Sequence, residues 1–155
     1  MKTTLLIVTM LALGLANSAG QGKLLTSDAL TGLPLIPASD SGTAAGNQPS
    51  AMPASPVCNS KMQAVFYRLY NIKVDATVAW YSSHLTGFKK FQGFASQRSQ
   101  TVFYNSDGTI LVFVTGQSGA AGENTNAFSV AYERFQPGLS EKTISSVTQG
   151  KIVCQ

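Results

Sequence analysis

Apolar residues concentrate on either side of Asn105-Ser106-Asp107-Gly108, in Val102-Phe103-Tyr104 and Ile110-Leu111-Val112-Phe113-Val114. Two β-branched and aromatic runs around an Asp-Gly predict a hairpin, because Asp-Gly tolerates the positive φ that tight hairpin turns require. The runs do not alternate, so this hairpin is expected to be covered on both faces. One helix can cover one face; three covers are open for the other: an apolar island in the N-terminal arm, the C-terminal helix, or a second subunit. Upstream, Met62–Tyr70 alternates, with Val65, Tyr67 and Leu69 on one face, which predicts a strand. Val74, Val78, Tyr81, Leu85 and Phe88 then recur at helical spacing. They predict a helix over 72–86, with Asn71 as its N-cap and Gly87 as its stop. Phe88–Ser96 reads as a weaker strand with a bulge at Gly93. Beyond the hairpin, Gly116–Asn126 reads as a loop and Ala127–Phe135 as an alternating strand. Ser140 caps a short helix that buries Ile144 and Val147 and stops at Gly150. The order predicts an α+β fold: a small, mostly antiparallel sheet of four to five strands, one main helix on a face, and a short C-terminal helix.

The first third of the chain has a different character. Residues 1–20 read as an export signal: Lys2, then the apolar run Leu5–Ala16, then Asn17-Ser18-Ala19-Gly20. The run is too short to span a bilayer, which needs about 20 apolar residues. No second candidate span follows. Residues 21–57 read as a linker, holding five of the chain's 6 prolines and much Gly, Ser, Ala and Thr. Within it, Leu30–Pro37 is an apolar, Pro-rich island expected to be extended. It suits an edge or groove of its own domain, a docking peptide for a partner, or an exposed spacer. All 14 aromatic residues (Trp 1, Tyr 5, Phe 8) fall between Phe66 and Phe135, so the folded domain is assigned to 58–155.

Cysteine and charge narrow the class. Cys58 opens that domain and Cys154 nearly closes the chain; in an exported protein two cysteines predict one structural disulfide. The formal charge of +4 is scattered, and Lys89-Lys90 is the only adjacent basic pair. A nucleic-acid binder shows a denser basic stripe, so nucleic acid is not an expected partner.

Chemistry leaves few candidates. His84 is the only histidine, and no nucleophile-elbow motif accompanies it. A zinc site wants about four Cys, His or carboxylate ligands, and no calcium-loop spacing is present, so neither a metal nor a cofactor is expected. The domain's acids are Asp75, Asp107, Glu123, Glu133 and Glu141, and no pair is marked by spacing as a glycosidase dyad. The Gly116, Gly119 and Gly122 spacing lacks the Lys-Ser/Thr ending of a phosphate loop. The aromatics are the better lead. Exposed Tyr and Trp bind sugar rings, peptides or another subunit, and the candidate surface is Trp80, His84, Tyr70 and Tyr104.

Phe66-Tyr67-Arg68-Leu69-Tyr70, the helix with Val78, Trp80-Tyr81 and Leu85, then Gly87-Phe88 and the Asp107-Gly108 hairpin form a combination. It resembles a loose group of uncharacterised exported bacterial α+β domains, over residues 62–135. The resemblance implies export and a small α+β fold, and carries no site residues across. The expectation is a secreted or periplasmic binding or structural domain of the bacterial envelope or exterior. A protein partner, a glycan partner and a homo-oligomer are all open. The alternative is a small envelope hydrolase or inhibitor-like module whose site assembles only in the fold.

Overall fold

A computed structural model describes residues 26–37, 44–48, 55–69, 72–95, 98–116 and 127–154. The expected export signal, most of the 116–126 loop, and Tyr70, Asn71 and Glu123 lie outside the described residues. The elements are β1 (Ala44–Gln48), β2 (Val57–Cys58), β3 (Lys61–Arg68), α1 (Val74–His84), β4 (Lys89–Ala95) and β5 (Arg98–Tyr104). They continue with β6 (Ile110–Gly116), β7 (Ala127–Gln136), α2 (Glu141–Thr148) and β8 (Val153–Cys154). The sheet runs β1-β3-β7-β6-β5-β4, with every adjacent pair antiparallel. Five of these strands are the antiparallel sheet the α+β pattern predicts. The sixth, β1, comes from the stretch read as linker and pairs with the far end of β3.

The hairpin's two apolar faces divide between two cores. Phe103, Val112 and Val114 enter one, with Tyr67, Val130 and Tyr132 from the neighbouring strands, Val78 and Tyr81 from α1 and Leu85 from its C-cap. Val102, Leu111 and Phe113 enter the other, with Ala131, Phe135 and, from α2, Ile144 and Val147. The two helices therefore lie on opposite faces of the sheet. The non-alternating runs of β5 and β6 follow directly, since each side chain meets an apolar layer whichever way it points.

Local chemistry explains the element ends. The predicted stripe of α1 is the buried one: Val78, Tyr81 and Leu85 are buried, while Val74 and Phe88 pack at the margin. The N-cap differs from the expected Asn71. It is Lys73, in extended conformation and without a side-chain cap; Thr77 N–H and Oγ1 both donate to its carbonyl, at 3.0 and 2.9 Å. Gly87, at φ +82°, is the expected stop. Ser140 caps α2 as predicted, its Oγ accepting from Thr143 N–H at 3.2 Å.

Gly93 forms no bulge. The β4–β5 register runs unbroken through Gly93↔Gln100. The residue is small because α2 sits on it: a Cβ there would lie 2.7 Å from Thr148 Cγ2 and 3.0 Å from the Thr148 carbonyl. The hairpin turn carries a single left-handed residue, Gly108 at φ +66°. Its N–H donates to the Asn105 carbonyl at 3.1 Å, and Asp107 Oδ1 accepts from Thr109 N–H and Oγ1 at 3.0 and 2.6 Å. The turn also docks on the segment after β7, where Leu139 N–H donates to the Gly108 carbonyl at 2.9 Å.

Cys58 and Cys154 form the expected disulfide, with Sγ atoms 2.04 Å apart and a sequence separation of 96. It ties β2 to β8, a parallel pair with Cys58 directly opposite Cys154. The bond is compatible with an oxidising compartment. Among the described residues, no helix is long and apolar enough to cross a membrane.

Candidate functional site

Residues 26–37, read from sequence as linker, are packed into the domain as a strap. Leu35 and Ile36 are 3% and 1% exposed and belong to the core shared with α1. Of the three roles open to the apolar island, the first describes it: it lies in a groove of its own domain.

Backbone hydrogen bonds shape the strap. Leu35 N–H donates to the Thr26 carbonyl at 3.1 Å, Asp28 N–H to Leu33 at 2.8 Å, and Gly32 N–H to Asp28 at 2.8 Å. The Asp28 carboxylate closes the turn, with Oδ2 accepting from Thr31 N–H and Oγ1 at 2.6 Å each. Asp28 is 1% exposed and accepts a further bond from the Tyr67 hydroxyl at 2.9 Å. Sequence reasoning passed over Asp28; its signal was Asp28-Ala29-Leu30-Thr31-Gly32, an Asp followed by turn residues.

Three tyrosines on the domain hold the strap. The Tyr132 hydroxyl donates to the Pro34 carbonyl at 2.5 Å, so its single proton is committed. Tyr81, 2.8 Å away, must then donate to Tyr132, and its own oxygen accepts from Ile36 N–H at 3.4 Å. The chain runs Ile36 N–H, Tyr81, Tyr132, Pro34 C=O, with every donor placed. Burial pushes the Tyr81 phenol up to about 12. Burial, reinforced by the Asp28 hydrogen bond, does the same for Tyr67, also to about 12. Tyr132 rises further, through burial and the adjacent Tyr81. These groups are neutral hydrogen-bonders in the working pH range, and their role is to anchor backbone.

The aromatic candidates do not form one surface. Trp80 and His84 meet on a flank of α1, rings stacked at a centroid distance of 3.9 Å and 12°, with Trp80 half-buried against the core and His84 exposed. Ser83 Oγ donates to the Trp80 carbonyl at 2.8 Å. His84 Nδ1 lies 2.8 Å from the same carbonyl and 2.9 Å from Ser83 Oγ, which makes Nδ1 the protonated nitrogen. The stack covers one indole face with the protein's own imidazole, and a stacking sugar would need such a face. Tyr104 is elsewhere: it is 9% exposed and belongs to the core on the opposite side of the sheet, among Val102, Leu111 and Phe113. β5 alternation places it there, because Phe103 takes the α1 side. Tyr70 lies outside the described residues.

The acids are also dispersed. Asp107 closes the hairpin, with its carboxyl held below the ordinary carboxylate range by Thr109. Glu141 pairs with Lys89 across α2 and β4 at an exposed position. Asp75 sits in the first turn of α1. Glu133 stands on the α2 side of β7, opposite Ala64 on β3 and Leu111 on β6. It has no hydrogen-bond partner among the described residues, and burial raises its carboxyl to about 7. No three His, Cys, Asp or Glu side chains among the described residues are placed to hold a metal.

One open cavity has a chemically coherent lining. About 330 Å³ in volume, it is bounded by Lys61, Met62, Gln63, Arg134 and Gln136. Register creates it: Lys61 pairs with Gln136 and Gln63 with Arg134. Alternation puts all four polar side chains on the strap side of the sheet, where Arg134 Nη2 donates to the Leu30 carbonyl at 2.7 Å. These residues were missed in the sequence. Lys61 and Gln63 alternate with Met62 and Ala64, but nothing in either strand announces that it pairs with one some seventy residues away.

No protein-family model, no curated protein and no solved structure matches this chain.

Proposed function

We propose that the protein is an exported, non-enzymatic binding or structural domain of the bacterial envelope or exterior, secreted or periplasmic, of the kind its sequence resembles. The observation that carries this reading is how the ionisable groups beneath the strap are used. Asp28, Tyr67, Tyr81 and Tyr132 are all spent on anchoring the strap. The disulfide fastens β2 to β8, as suits a small domain outside the reducing cytosol. The open cavity over the β3–β7 pair offers hydrogen-bond donors, which suits recognition.

The test uses protein recovered after export of the full-length chain. It is mixed with sedimented bacterial envelope fragments, and both bound protein and soluble fragments are measured over time. Saturable co-sedimentation without release of fragments is the expected result. Release of reducing ends or peptides would replace the reading with the hydrolase alternative, and absence of any saturable binding would overturn it.

A further inference from the structure

We infer that the β3–β7 cavity is a binding site for an oxyanion carried on a small polar ligand, a carboxylate or phosphate beside hydroxyl groups. The inference rests on the reading of the protein as a binding domain and adds the ligand's chemistry. Among the described residues five line the cavity, two of them cations and two primary amides, and none of them an acid. Lys61 and Arg134 are diagonal neighbours across the β3–β7 pair, and such positions lie about 7–8 Å apart at the backbone. Their long side chains can converge on one anionic group from two sides. An Arg fork presents two parallel donors to a carboxylate or phosphate, and Lys adds a point charge.

The amides add selectivity. Gln63 stands directly opposite Arg134 and Gln136 directly opposite Lys61. Each amide carries both a donor and an acceptor, so each can engage a hydroxyl, which a bare ion lacks. The volume of about 330 Å³ falls at the small end of ligand pockets, about 300–1,000 Å³, and suits one sugar-sized unit. Among the described residues no aromatic ring lines the cavity, so charge and hydrogen bonding carry the affinity rather than stacking.

Arg134 is also pre-positioned. One of its five N–H donors is fixed on the strap's Leu30 carbonyl at 2.7 Å, which restrains the guanidinium before ligand arrives. Leu30 is thus a positioning residue, acting through its backbone. The strap has a second consequence beyond stability: it holds one wall of the cavity in its binding geometry.

The experiment is calorimetric titration of the exported, oxidised protein with glucuronate, inorganic phosphate and, as the neutral control, glucose, at low and high salt. The expected result is saturable 1:1 binding of at least one anion, none of glucose, and weakening as salt rises. Lys61→Gln and Arg134→Gln should each weaken binding about tenfold or more, the scale of a lost charge-assisted hydrogen bond. Lys61 is exposed, so its variant keeps the fold and isolates the charge. Preference for glucuronate assigns an acidic saccharide and preference for phosphate a phosphorylated ligand; either supports the site. No saturable anion binding at millimolar concentration, or binding unchanged in both variants, overturns it. Envelope co-sedimentation that persists in that event leaves the binding-domain reading standing.

Discussion

Glu133 is the residue where the fold is in conflict with itself, and replacing it with glutamine exposes the size of that conflict. Its register partners on the α2 side are Ala64 and Leu111, and its same-face neighbours along β7 are Ala131 and Phe135. Half-buried in this apolar setting, and without a hydrogen-bond partner among the described residues, its carboxyl rises from the ordinary 4.5 to about 7. The folded protein therefore binds a proton between these values that the unfolded chain has already lost. Linkage then requires stability to fall as pH rises through that window. The full gap corresponds to about 3 kcal/mol, a ceiling because the side chain keeps some solvent contact. Glutamine removes the charge but keeps a polar amide, so Glu133→Gln should gain about 1–3 kcal/mol at pH 8 and little at pH 4.5. In a domain of this size that is a rise of roughly 5 °C or more in Tm. Urea unfolding of wild type and variant, followed by circular dichroism at pH 4.5, 6, 7 and 8, measures the difference. A wild-type-minus-variant stability that stays flat across that range would refute the reasoning.

Other consequences follow from the strap, the turn and the disulfide. Deleting residues 21–37 should uncover the surface beneath Leu35 and Ile36. Light scattering after size exclusion should then show dimers or aggregates, whereas a monodisperse monomer of wild-type stability would contradict the strap's role. Tyr132→Phe leaves the Pro34 carbonyl without its donor and should cost about 1–3 kcal/mol, read by urea unfolding. Because the Tyr67 and Tyr81 phenols are raised to about 12, stability should hold below pH 10 and fall as pH climbs towards 12. Tyrosinate absorbance should show the buried phenols lagging the exposed ones. Gly108→Ala should destabilise by about 2–4 kcal/mol, since the residue is at φ +66° and a Cβ would lie 2.0 Å from the Leu139 carbonyl oxygen. Replacing both cysteines by serine should cost about 4–5 kcal/mol at most, by the loop-closure entropy of so long a loop, and the shift in urea midpoint tests it.

The local grammar of the domain is legible along the chain. Periodicity located α1 and its buried stripe, Ser140 and Gly87 marked helix boundaries, and Asp107-Gly108 placed the hairpin, because each depends on residues within one turn of each other. Two cysteines in a chain with an export-like start were enough for the disulfide. The continuous apolar runs of β5 and β6 called for cover on both sides, and two cores lie there. Which segment supplied the cover was a tertiary decision. Composition marked residues 26–37 as linker, since Pro, Gly and Thr form no periodic pattern. The strap is ordered by tyrosine hydroxyls and an arginine that come from 39 to 104 residues away. Tyr104 was a surface candidate by residue type, and strand alternation against α2 made it core. The β3–β7 cavity exists only because Lys61 and Gln63 pair in register with Gln136 and Arg134. Pairing between distant strands is set by how all the faces are buried at once, and no local stretch of sequence carries that information.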